Sequence, residues 1–308
     1  MRTPQNPTND FSDAIPSWTV GNIVVHRIDE APLPPATGTW LFPDVTERVI
    51  AQARWLEPDF ADASGIVHID SHSFALETEG VRVVIDTAIG NGKERANPAW
   101  NGLNTDYLQR LTAAGFPPET VNLVILTHLH TDHVGWNTVE ANGSWVPTFP
   151  NARYLVARIE HEFWAGYDMD AARRQMFRDS VHPIERAGLL DAIDVPTNGI
   201  EVAAGVRLVP TPGHTPGHTS VQLSSHGKRA LITGDCIHHP VQLARPEICS
   251  CVDIDPPRAQ STRKHLLAEL ADTETLLLGT HFPPPTAGKV VECGDTYQLK
   301  SVTPTNRN

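Results

Sequence analysis

The spacing of apolar and polar positions changes along the chain, and each change marks an element. Residues 18–27 read as a first strand. Residues 66–77 mix alternating apolar and polar positions and 81–86 form a short apolar run, so Glu79-Gly80 between them predicts a hairpin turn. Residues 105–114 carry helical spacing that stops at Gly115. The run from Val121 to Leu126 reads as a buried strand. Beyond it come a strand at 153–157, helical stretches at 159–164 and 170–180, and a meander of strands at 206–210, 219–223 and 229–233. Residues 257–270 predict a helix with Pro in its first turn. A buried strand at 275–278 and a hairpin of 289–292 with 296–299 close the chain. Strands interleaved with helices predict an α/β or α+β fold. With no repeat, low-complexity tract or linker, the expectation is a single domain over 18–308. The polar, Pro/Asn-rich residues 1–17 predict a flexible arm. Residues 31–64 are Pro-rich with exposed-looking aromatics (Trp40, Phe42, Trp55, Phe60), and predict a lid or an irregular covering layer.

Composition narrows the classes. The 308 residues are 40% hydrophobic and 19% charged, an ordinary globular balance. A formal net charge of -12 repels phosphate backbones, so no nucleic acid partner is expected. No run of about 18 apolar residues exists, so no membrane span is expected. The opening MRTPQNPTNDFSDAIPSW lacks the apolar stretch of a signal peptide. Four cysteines are too few for a disulfide scaffold, and the expectation is a reduced, cytoplasmic chain.

The candidate chemistry begins where the 121–126 run ends. In Thr-His-Leu-His-Thr-Asp-His-Val-Gly, residues 127–135, the side chains of His128, His130, Asp132 and His133 bring three imidazoles and a carboxylate to a strand end. These are ligands that borderline divalent ions prefer, zinc above all. Three later sites have the same chemistry: TPGHTPGH with His214 and His218, TGDC with Asp235, and GTHFP with His281. Each follows a strand-like run and precedes a Gly/Pro-rich turn, which fixes the side chain's angle. A lone His at a strand end is more often hydrogen-bonded surface or core; the four sites in this order are far more specific. Cys236 reads as a small buried residue rather than a soft ligand, and Cys249-x-Cys251 is too short a spacing for the usual zinc pair. Asp86 and Lys93 buttress the site, bind substrate or simply close turns. Trp40, Phe42, Trp136, Phe149 and Phe282 are candidates to wall an apolar pocket, against the commoner role of aromatics in the core.

The ordered set HLHTDH, TPGHTPGHT, TGDC and GTHF resembles the metallo-β-lactamase superfamily, and the resemblance covers about residues 66–291. Residues 234–242 and Trp136-Asn137 are similar to the branch that holds quorum-signal lactonases and methyl parathion hydrolase. The resemblance implies a four-layer αββα sandwich with a dinuclear metal site at one edge. It implies that His128, His130 and His214 bind one ion, that Asp132, His133 and His281 bind the other, and that Asp235 bridges them. It leaves His218 to pack or hydrogen-bond nearby. Zinc is the default metal, with manganese, iron or cobalt as alternatives.

The function expected from this set is hydrolysis of a lactone or ester by a hydroxide shared between two metals. Asp132 would orient that hydroxide and hand a proton to the leaving alkoxide. His238 stands where some quorum-signal lactonases carry a Tyr, and would donate to the oxyanion or serve as a supporting His; His239 and Phe282 are further substrate-side candidates. The expected partner is a neutral, partly apolar small molecule, and a homodimer is left open. Phosphotriester hydrolysis is the alternative, and thioester hydrolysis ranks behind it. Dedicated β-lactamases of the superfamily lack the bridging Asp, and diiron redox members carry Glu where His130 stands. A non-catalytic metal-binding protein is the alternative from another class, but a degenerate member should have lost ligands and this chain keeps all seven.

Overall fold

In the computed structural model, which describes residues 15–305, two seven-stranded sheets lie face to face. The first takes β1 (Ser17–Val20), β2 (Ile23–Pro32), β3 (Asp70–Thr78), β4 (Val81–Ile85) and β5 (Leu123–Ile125). The chain then forms a separate hairpin of β6 (Thr138–Ala141) and β7 (Ser144–Pro147), and returns to the first sheet as β8 (Arg153–Ala157) and β9 (Leu190–Ile193). The second sheet holds β10 (Ile200–Ala203), β11 (Val206–Pro210), β12 (Thr219–Ser225), β13 (Lys228–Ile232), β14 (Leu276–Leu278), β15 (Ala287–Cys293) and β16 (Thr296–Ser301), in chain order. The helices are α1 (Pro35–Leu41), α2 (Glu47–Gln52), α3 (Tyr107–Ala113), α4 (Arg158–Gly166), α5 (Ala171–Met176), α6 (His182–Arg186), α7 (Val241–Ala244) and α8 (Pro256–Leu270).

Successive side chains on a strand point to opposite faces, and both faces of both sheets are covered. Val83 and Ile85 of β4 and Leu123 and Ile125 of β5 meet Val221, Leu223, Ile232 and Leu278 between the sheets. Val84 and Val124 point the other way, into a core completed by Tyr107 and Leu111 of α3, Trp164 of α4 and Met176 of α5. On the far side, Leu231 and Leu277 pack with Ile50 of α2, Leu243 of α7 and Leu267 of α8. The result is the expected αββα sandwich. Double-sided burial also explains why the central strands read as continuous apolar runs rather than alternating ones.

Several boundaries differ from the expectation. The strand expected at 18–27 is a hairpin, β1–β2, turned at Gly21. That glycine has φ +60°, and a Cβ there would lie 2.2 Å from the Ser225 carbonyl oxygen of the second sheet. Of the expected arm, residues 1–14 lie outside the described residues, while Ser17 already opens β1. Residues 31–64 are more regular than expected, and carry α1 and α2. Phe42 and Phe60, expected to be exposed, are buried with Leu41, Ile50 and Leu56 in the outer core, whereas Trp40 is 53% exposed. No helix among the described residues is long and apolar enough to cross a membrane.

The helix expected over 170–180 is interrupted. After α5 the chain makes a π-helical turn, Phe177–Val181. The turn presents Asp179 to Arg95, whose Nη1 and Nη2 donate at 2.8 and 3.0 Å. Buried Lys93 donates to Thr138 Oγ1 at 2.7 Å, lies 3.7 Å from Asp179 Oδ1 and sits 3.6 Å over the Trp145 ring. Lys93 thus ties the 86–93 loop to β6 and to the π turn; it does not line the cavity described below. Burial pushes its pKa down to about 7, against the opposing pull of Asp179. Between that value and about 10.4, the unfolded chain binds a proton that the folded chain does not, so this group's contribution to stability rises with pH. Urea unfolding at pH 7 and pH 10 should show wild type gaining on Lys93→Met by on the order of a few kcal/mol as pH rises. A difference that does not change with pH would refute it.

Candidate metal centre

The candidate ligands sit on loops that leave strand ends at one edge of the sandwich. β4 and β5 run parallel, as do β13 and β14. Asp86, at the end of β4, accepts the Thr127 amide and hydroxyl at 2.8 Å each and His133 Nδ1 at 2.9 Å. The same carboxylate therefore fixes both ends of the 127–133 loop. Just beyond, Gly135 crosses the 86–90 loop so closely that a Cβ would lie 1.9 Å from the Ile89 carbonyl oxygen. Glu30 holds that crossing from beneath. Burial raises its pKa, while the amides of Ile89 and Gly90, the Ser71 hydroxyl and Trp136 Nε1 all donate to it.

The loop after β11 brings in His214. Gly213, at φ +137°, lies against the start of α8, where a Cβ would meet the Ala259 amide nitrogen at 2.2 Å. His214 Nδ1 donates to Asp253 at 2.9 Å. Burial is the largest influence on Asp253 and works against its charge, but the His214 hydrogen bond and the nearby basic groups together outweigh it and hold its pKa down to about 2. Glu160 of α4 joins the two histidine loops, accepting the Leu129 amide (3.0 Å) from one and the Thr215 hydroxyl (2.6 Å) and Gly217 amide (3.2 Å) from the other. Asp235 follows β13 and donates its amide to His218 Nε2 at 2.8 Å, so His218 shapes the loop. His281 follows β14, with Nδ1 on the Asp70 carbonyl at 2.9 Å.

These bonds leave lone pairs facing one another. The Nδ1 atoms of His214, His133 and His281 face acceptors, so in the neutral rings each Nε2 is the nitrogen left to bind a cation. His214 Nε2 nevertheless lies 3.2 Å from His128 Nε2 and 2.8 Å from His130 Nδ1. His281 Nε2 lies 3.2 Å from His133 Nε2. Asp235 sits between the groups, with Oδ2 3.3 Å from both His214 and His133 and Oδ1 3.2 Å from His281. Asp132 approaches His281 at 3.6 Å and His133 at 3.8 Å. Facing lone pairs repel unless a cation lies between them, so this donor set fits divalent metal. His128, His130, His214 and Asp235 form one group within ligand distance, and Asp132, His133 and His281 a second.

The electrostatics divide the same way. Burial, reinforced by neighbouring imidazoles, holds His128 and His130 well below the ordinary histidine range, so both rings are neutral. Burial would lower His133 as well, but Asp235, Asp86 and Asp132 outweigh it and raise its pKa well above that range. Burial would raise Asp235, yet His133, His238, His281 and His128 together hold it well below the usual carboxylate range. Cys236 is a buried thiol pushed up by burial to about 11, and offers no thiolate.

Above the two groups is a cavity of about 130 Å³, with His130, Asp132, Asp235, His238 and His281 at its base. His238 is buried, with Nε2 3.2 Å from Asp235 Oδ2 and Nδ1 unpartnered. Of the aromatics expected around the pocket, only Trp40 lines it. Phe42 and Phe282 are core beneath it, and Phe149 lies in the opposite outer core. Trp136 stacks on Tyr107, with ring centroids 5.3 Å apart. His239 is also structural, with Nε2 on the Phe60 carbonyl and Nδ1 accepting the Val241 amide. The apolar wall is instead Leu33, Leu41, Ile69 and Val252, with Trp100 and Arg173 at the outer side. Sequence reasoning also missed Glu30, Asp253 and Glu160, which carry no local signal that sets them apart from other acidic residues of the chain.

The sequence profile of the Metallo-beta-lactamase superfamily matches residues 68–281. The N-acyl homoserine lactonase AttM of Rhizobium radiobacter is 28% identical over 176 residues, 56% of this chain and 63% of the relative. The N-acyl homoserine lactonase AiiA of Bacillus thuringiensis subsp. kurstaki is 26% identical over 171 residues, 52% of this chain and 60% of the relative. The chain thus spans less than two thirds of the length of these curated relatives. Among solved structures, the hydrolase AbOPH of the beta lactamase superfamily superposes with a TM-score of 0.75 at 23% identity, covering 94% of this chain and 97% of the other. AidC, a dizinc quorum-quenching lactonase, superposes with a TM-score of 0.74 at 20% identity, covering 96% and 98%. At these identities the two structures share the fold.

Asp86 and Asp253 orient histidine rings through their far nitrogens. Asp86→Asn and Asp253→Asn should each weaken zinc binding by roughly 10–100-fold in a competitive chelator titration. Wild-type affinity in both variants would show that the two carboxylates do not tune the rings.

Proposed function

The chain belongs to the metallo-beta-lactamase superfamily, and from that premise we propose that it is a dinuclear metal-dependent hydrolase of lactones or related esters. The observation that carries the proposal is the pair of facing lone-pair groups around Asp235, open to a cavity with an apolar wall. In this reading His128, His130 and His214 hold one ion and Asp132, His133 and His281 the other, with Asp235 shared. Two divalent ions, zinc by default and manganese, iron or cobalt in its place, supply Lewis acidity and bring the pKa of water towards neutrality.

The chain's own groups supply the rest. Asp132 is partly exposed to the cavity, and its second carboxylate oxygen orients the attacking water and passes a proton to the leaving alkoxide. Burial lowers the pKa of His238, so its ring is neutral and carries one N–H to donate to a developing oxyanion. Leu33, Leu41, Ile69 and Val252 accept an apolar acyl arm and exclude water from it. A neutral, partly apolar substrate suits this wall and the net charge of -12. The names of the lactonase relatives support the same class.

A hydrolysis screen on protein of measured metal content should show N-acyl homoserine lactone turned over faster than aryl esters or paraoxon. Paraoxon ahead of every lactone would move the assignment to phosphotriesters, and bound metal without any turnover would make this a binding protein. Asp132→Asn should keep its metal and lose roughly 10²–10⁴-fold in kcat. Full rate at normal metal content would remove the proton role from Asp132.

A further inference from the structure

Arg27 of β2 stands on the same face of its strand as Val25, the face that meets the second sheet. A buried cation is costly in that apolar layer unless its donors are met. Two parts of the fold meet them. From the first sheet, Asp29 and Asp70 accept from Nε and Nη2 at 2.6 and 2.5 Å. From the loop after β14, the Phe282 carbonyl accepts from Nη1 at 3.0 Å, and the Thr286 hydroxyl is a further partner. That loop carries His281, and Asp70 is tied to His281 twice through its main chain. The Asp70 carbonyl takes His281 Nδ1 at 2.9 Å, and its amide donates to the His281 carbonyl at 3.1 Å. Two residues along β3, His72 holds the near side of the loop, with Nε2 3.0 Å from the Gly279 carbonyl.

The two ion groups depend on this network unequally. His281 comes from the second sheet and meets Asp132 and His133, which follow β5 of the first. The guanidinium spans the sheets where that meeting is made. The second-sheet ligand of the other group, His214, is braced instead by Asp253, and its loop by Glu160. We propose that Arg27 is a positioning residue for one ion of the pair: by fixing Asp70 and the 282–286 segment it holds His281 in reach of the second ion and leaves the first unaffected. The proposal rests on the dinuclear reading above, and adds that the second ion is the one coupled to the packing of the two sheets.

Anomalous diffraction at the zinc edge reads each position separately. With free zinc buffered so that the second position of wild type is half filled, Arg27→Met should cut its occupancy to about a tenth, a ten-fold weaker site, and leave the first position as in wild type. An arginine that only stabilises the sandwich would weaken both positions alike. Equal falls at both, a fall at the first alone, or no fall would overturn the proposal. If Arg27→Met does not fold, Asp70→Asn decides: it removes the ion pair, keeps both main-chain bonds to His281, and should weaken the second position alone about three-fold. If wild type does not bind two zinc ions, the dinuclear reading fails by itself, and amide exchange on metal-free protein decides the positioning role. Arg27→Met should then speed exchange at Asp70 and Gly279, whose amides bond across the 281 loop, about ten-fold more than at Thr127 and Leu129. An equal change at all four would overturn it.

Discussion

The structure is organised around a repulsion. Imidazole nitrogens that could each ligate a cation face one another across 2.8–3.2 Å, in the interior, around the carboxylate of Asp235. Left to relax, such rings would turn their N–H groups inward or move apart. They are prevented because their outer nitrogens are already bound: to Asp86 from β4, to Asp253 from the loop before α8 and to the Asp70 carbonyl from β3. Each brace comes from a different element, so the cluster cannot loosen without disturbing several parts of the sandwich. The low dielectric of the site raises the stakes, since an unpaired buried group costs more there than near water.

The sandwich meets this demand by stiffness at its strand ends. Central strands buried on both faces have little freedom to shift, and β4 with β5 and β13 with β14 deliver their loops in parallel to one edge. Two buried carboxylates then lock loop to loop. Glu30 ties β2 to the Gly135 crossing, and Glu160 spans the loops of His130 and His214. Burial raises the pKa of both, and each keeps its place by accepting four hydrogen bonds.

The sequence made the candidate ligands legible because each is encoded locally, as a His or Asp beside Gly and Pro at the end of an apolar run. The mixture of strands and helices was legible for the same reason, since the central strands are short, apolar and bounded by turns; the four-layer sandwich was implied only by the resemblance of the motifs. The braces were not, because Glu30, Glu160 and Asp253 act across long separations and look like ordinary acidic residues in the chain. The pocket wall was misread in the same way. Residue type marks Phe42, Trp136, Phe149 and Phe282 as suitable for either a core or a pocket, and only the packing of sheets and helices decides between them. The edge strands β9 and β10 were missed because half-buried sequences such as Leu190–Ile193 carry a weak pattern.

The π turn after α5 also acts as a phase-setter. A π turn holds one more residue than the α-helical turn it replaces, and one residue corresponds to about 100° of rotation around a helix axis. Met176 and everything before it are therefore rotated relative to α6 as though a single residue had been slipped into a continuous helix. Removing one residue from 177–181 would restore the continuous helix, yet it would swing Arg173 about a quarter-turn around the helix axis, off the Trp164 ring on which it stacks. The geometry of that side of the cavity is written in chain length as well as in side chains.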